Sequence, residues 1–72
     1  MKMLKERVDI RQIINWCHEH RLPNTALYFI DYRNNSHLTE NEWWIEKAFV
    51  VRHVGDDIFQ RMQSDGVSIC VI

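Results

Sequence analysis

The stretch Leu38–Val54, LTENEWWIEKAFVVRHV, constrains this chain more than any other. Thr39 is followed three residues later by Glu42, a pairing in which each side chain can satisfy an orphan backbone N–H of a helix start. Leu38 precedes that cap and Trp43 lies four positions inside, the spacing of a hydrophobic staple. Glu40 and Glu42 place negative charge where the helix dipole favours it. Trp44, Ala48, Val51, Gly55, Ile58 and Met62 then recur at steps of four and three, which predicts one long apolar helix stripe. Trp43, Val50 and Val54 form a second line on another face. A helix apolar on more than one face is central to its own core or shared with a partner.

The chain has only 72 residues, near the lower limit for a self-supporting core, so surplus apolar surface matters. Apolar content of 46% and charged content of 26% fit a folded single domain. A net charge of -1 argues against gripping DNA or RNA by its phosphates. Lys2, Lys5, Arg7 and Arg11 are diluted by Glu6 and Asp9, and residues 1–7 read as a flexible, solvated arm. No apolar run is long enough to span a bilayer and no signal-peptide core is present, so the expected location is cytoplasmic. Cys17 and Cys70 are accordingly expected as reduced thiols.

Asp9 and Gln12 repeat the capping logic, with Val8 placed to staple onto Ile13; Ile10, Ile13, Ile14 and Cys17 form the first helical stripe. That helix should end near Arg21, because Leu22-Pro23 is a boundary. Residues 26–32, capped by Asn24 or Thr25 and closed by a left-handed turn at Asn34-Asn35, read as a second helix. Tyr28, Phe29, Ile30 and Tyr32 are also good strand formers. The third helix either runs through Gly55 to about Met62 or stops there, with Asp57 capping a fourth. Ser64-Asp65-Gly66 is a turn, and residues 67–72 form a short extended apolar tail. The expected fold is therefore all-α, a small domain of three or four helices with that tail. The alternative is α+β, with residues 26–32 and 67–72 as strands.

Little here suggests an active site. Cys17-His18-Glu19-His20 lacks any zinc-like framework, and Cys17 continues an apolar stripe, so a core thiol accounts for it better than a metal ligand. Gly55 and Gly66 stand alone and form no phosphate loop, and Glu40, Glu42 and Glu46 are explained by the helix start. Neither enzyme activity nor a cofactor, metal or small-molecule substrate is expected. The aromatic residues are too many for so small a core, which predicts an exposed patch that binds another protein or a second copy. The candidates are Trp43, Lys47, Val50 and Val54, with Tyr28 or Tyr32 nearby. The tail could dock on its own core or add as a strand to a partner's sheet edge.

Over Ile13–Arg52 the spacing resembles the ANR family of AraC negative regulators. Thr25 and Ala26 precede Tyr28-Phe29, and Asn41-Glu42-Trp43-Trp44 and Glu46 follow in register. Phe29, Ala48 and Arg52 depart from that pattern, where Trp, Arg and Cys are usual. A second likeness is to the Hha/YmoA family, carried by Leu27, Ile30, Arg33, Asn34, Leu38 and Thr39–Glu42; Phe49–His53 stands where an Ala-Asp-His-Arg run is usual. Both resemblances imply a non-enzymatic protein that binds a bacterial transcription regulator at its helical or dimerisation surface. A different class of function is a small phage-type inhibitor that blocks a host or defence enzyme.

Overall fold

A computed structural model describes residues 5–38 and 43–71. Along the chain these form strand β1 (Glu6–Asp9), helix α1 (Ile10–Glu19), helix α2 (Pro23–Asn35), strand β2 (Trp44–Glu46), helix α3 (Lys47–Val54), helix α4 (Asp56–Ser64) and strand β3 (Ile69–Val71). The strands make an antiparallel sheet in the order β2-β1-β3. The fold is α+β, which corrects the all-α expectation. The alternative was right about a strand in the tail and wrong about residues 26–32, which lie within α2.

The largest correction concerns the supposed arm, because Glu6 and Arg7 belong to the central strand of the sheet. Glu6-Arg7-Val8-Asp9 carries little strand propensity of its own. It is held from both sides, with Val8 opposite Ile45 on β2 and opposite Ile69 on β3. Its charges are matched by neighbours. Arg7 lies opposite Glu46, Lys5 Nζ is 3.3 Å from Glu46 Oε1, and Lys47 Nζ is 2.8 Å from Glu6 Oε2. Such exposed pairs add only about 0–1 kcal/mol each, but they fix register by making a slipped pairing bring like charges together.

The predicted long helix is likewise replaced. Trp44–Glu46 is strand, and α3 begins only at Lys47, with no side-chain cap at Glu46. The Thr39–Glu42 cap lies outside the described residues. Pairing with β1 takes up the Ile45 backbone groups in a sheet ladder opposite Val8, and this long-range partner overrides the local helix signal. Gly55 then ends α3 and opens α4 at φ 88°, ψ 159°, a conformation essentially confined to glycine.

The helical hairpin α1–α2 follows the sequence more closely. Asp9 Oδ1 accepts from Arg11 N at 2.9 Å and caps α1. Gln12 does not close the reciprocal bond. Its Oε1 instead accepts from Ser68 N at 2.7 Å and pins the start of β3. The chain leaves α1 through Arg21 at φ 57°, with Leu22 N donating to Cys17 O at 2.8 Å and Arg21 N to His18 O at 3.3 Å. That pattern is a Schellman motif, and Pro23 then starts α2 at a position where its missing N–H costs nothing. The left-handed residue closing α2 is His37, at φ 51°, in place of the expected Asn34-Asn35.

The core draws on the sheet and on all four described helices. Val8 and Ile45 come from the sheet, Ile10, Ile13, Ile14, Trp16 and Cys17 from α1, and Ala26 and Phe29 from α2. Val50 comes from α3, Phe59 and Met62 from α4, and Val67 from the segment before β3.

Candidate protein-docking surface

The six residues expected to form one patch are separated by the fold. Val50 has no exposed surface and belongs to the core, and Val54 is half-buried against it. The line Trp43–Val50–Val54 presupposes a helix beginning at Thr39. Once the helix starts at Lys47 and packs on the sheet, the face bearing Val50 turns inward. Lys47 is engaged by Glu6, with its Nζ 5.7 Å from the centre of the Phe59 ring. Trp43 is half-buried, and the Arg11 guanidinium lies 4.7 Å from the centre of its ring. The Trp43 indole Nε1 is buried without a hydrogen-bond partner among the described residues.

Tyr28 and Tyr32 remain together, one helical turn apart on α2, and they meet α3 through stacked rings. The Tyr28 ring lies 3.6 Å from that of His53, nearly parallel at 8°. Phe49, one turn before His53, is 6.2 Å from Tyr28 and 4.8 Å from Tyr32. Beneath them the fully buried Phe29 meets Tyr28 edge-on at 5.2 Å and His53 at 5.5 Å. This gives an aromatic stack that runs from the core to the surface. Its outer member Tyr28 is 38% exposed, and Tyr28, Phe49, Arg52 and His53 line a shallow depression of about 260 Å³.

Phe49, Arg52 and His53 were not singled out from sequence as binding residues. The signal available was the four-residue step from Phe49 to His53, which places them on one helix face. Their convergence on α2 needed the tertiary fold. Each ring in the stack is held in place by its neighbours, so covering this face would cost little further conformational entropy.

A second polar cluster ties two helix ends together. Trp16 Nε1 donates to Asp65 Oδ2 at 2.7 Å, His20 Nε2 lies 3.2 Å from the same oxygen, and the His20 ring stacks on Trp16 at 3.9 Å. These contacts fasten the ends of α1 and α4, so His20 is committed to a structural role. Cys17 is fully buried, and burial pushes its thiol up from 9.0 to about 11. Among the described residues no three His, Cys, Asp or Glu side chains gather as a metal site, and no helix is long and apolar enough to cross a membrane.

Comparison with protein families, curated proteins and solved structures finds no match to this chain.

Proposed function

We propose that this protein is a non-enzymatic docking module that holds another protein against the ring surface of α2 and α3. The observation that carries the reading is the exposed Tyr28 ring, braced by His53 on one side and by buried Phe29 beneath it. Tyr and Arg are over-represented among residues that dominate interfaces, and here Tyr28 and Arg52 border the same depression. The partner class proposed is a bacterial transcription regulator, engaged at a helical or dimerisation surface. Its support is the resemblance over Ile13–Arg52, which includes both tyrosines and α3 as far as Arg52. The surface and the partner class therefore rest on different grounds.

The test is affinity capture from the native host with the wild-type chain and with Tyr28→Ser, each checked for unchanged far-ultraviolet circular dichroism. A transcription regulator retained by wild type and weakened at least tenfold by Tyr28→Ser is the expected result, tenfold being about 1.4 kcal/mol. Equal capture by the two chains would exclude the ring surface. Capture of a host or defence enzyme through Tyr28 would keep the surface and replace regulation with inhibition.

A further inference from the structure

Strand β3 borders the sheet, and the ladder determines which of its backbone groups lie open. Ile10 N donates to Trp43 O at 2.9 Å, so the even-numbered residues of β1 direct their N–H and C=O groups toward β2. The odd-numbered residues, Arg7 among them, therefore face β3. Since Arg7 lies opposite Cys70, the Cys70 backbone faces β1, while the N–H and C=O groups of Ile69 and Val71 point away from the sheet. Ser68 agrees with this alternation, because its N–H is taken up on the inner side by Gln12. The open edge carries none of the devices that usually protect one. From Val67 to Val71 there is no charge, no proline and no bulge, and Val71 is 56% exposed.

We propose that β3 pairs antiparallel with β3 of a second copy, joining two three-stranded sheets into one of six strands. The two-fold axis passes beside Cys70. Ile69 and Val71 of one copy then exchange both backbone hydrogen bonds with Val71 and Ile69 of the other, using the groups that point outward. This register satisfies every open group of β3 at once. It also continues the apolar row of the existing sheet, since Ile45, Val8 and Ile69 lie side by side across the strands and Val71 of the second copy becomes the next member. The edge is its own complement, and its lack of charge gives a strongly charged partner nothing to recognise. Pairing of β3 with β2 of another copy would be head-to-tail and leave free edges, whereas β3 with β3 closes as a dimer.

The register sets a distance that can be tested. Cys70 faces Cys70 of the second copy as a non-hydrogen-bonded pair, with Cα atoms about 4.5 Å apart. That value lies within the roughly 4.4–6.8 Å a disulfide requires. Brief treatment of the reduced protein with copper phenanthroline, which removes two electrons as the two thiols lose their protons, should give a covalent dimer. Peptide mass spectrometry should map the bond to Cys70–Cys70. Sedimentation equilibrium of the reduced wild type should show a reversible dimer. Val71→Pro removes an outward N–H and leaves the β1 ladder intact, so it should weaken the dimer at least tenfold while keeping the helical circular dichroism. If Val71→Pro fails to fold, Val71→Lys makes the same comparison by placing a charge in the apolar row. A wild type that is monomeric at every concentration would overturn the proposal. So would a crosslink through Cys17, or a folded position-71 variant that dimerises as strongly as wild type.

Discussion

Cys17 shows how one side chain reports on the whole core. Its thiol is fully buried in the row begun by Ile10, Ile13 and Ile14, and desolvation of the thiolate raises its pKa from 9.0 to about 11. The native state therefore holds this proton at pH values where the unfolded chain has released it. The resulting stabilisation is complete below pH 9.0 and is lost as pH rises toward about 11. Urea midpoints measured at pH 8 and pH 10.5 should fall for wild type, and the fall should be smaller for Cys17→Ala. An equal fall in both would show that other groups govern the alkaline limit. Val50 follows the same logic of burial. A glutamate there would place a charge in the core, so that position cannot serve as a conservative probe of binding.

At the scale of elements, Gly55 separates two helices that the apolar pattern alone would join. Val51, Gly55, Ile58 and Met62 keep helical phase across the break, and the stripe therefore gives no sign of it. The backbone at Gly55 decides the matter, with φ 88° and ψ 159°. A Cβ added there would meet nothing within 4 Å, so the cost of Gly55→Ala comes from backbone conformation alone. The expected loss is about 1–3 kcal/mol, with the circular dichroism spectrum retained. A thermal midpoint equal to wild type would show that α3 and α4 can merge into one helix. Two other left-handed positions, Arg21 and His37, close α1 and α2 without glycine. They are held by the Schellman bonds to Cys17, His18, Arg33 and Asn34 carbonyls.

At the scale of the molecule, the two ends of the described chain hold each other. β1 lies between β2 and β3, Val67 is buried, and Gln12 of α1 accepts from Ser68. A domain of this size has about 5 kcal/mol in hand, and burying one aliphatic side chain contributes about 1.5–3 kcal/mol. Truncation after Gly66 removes buried Val67 and Ile69, which packs against the core, and strips one side of the central strand. The shortened chain should lose its cooperative thermal transition. If that transition persisted near the wild-type temperature, β3 would contribute only to association between molecules and not to the fold.

Sequence alone determined the features whose partners lie within a turn or two. Asp9 caps α1, Gly66 closes α4 at φ 103°, and Cys17 sits inside, each by a local rule of geometry or periodicity, whereas α2 opens at Pro23 with Leu22 before it and not behind a cap at Asn24 or Thr25. The surplus of aromatic residues over so small a core predicts exposed rings, and Tyr28 is one, while Tyr32 packs partly buried against the core. The sheet was not legible, because strands of three or four residues carry little preference of their own. Their hydrogen-bond partners lie far away in sequence, Glu46 opposite Arg7 and Cys70 opposite Arg7 on the other side. With β2 unseen, the start of α3 was misplaced, and with it the face that carries Val50. Only the tertiary structure settled which apolar residues of that segment turn inward and which rings of α3 meet Tyr28, because the sheet sets the helix's origin and orientation.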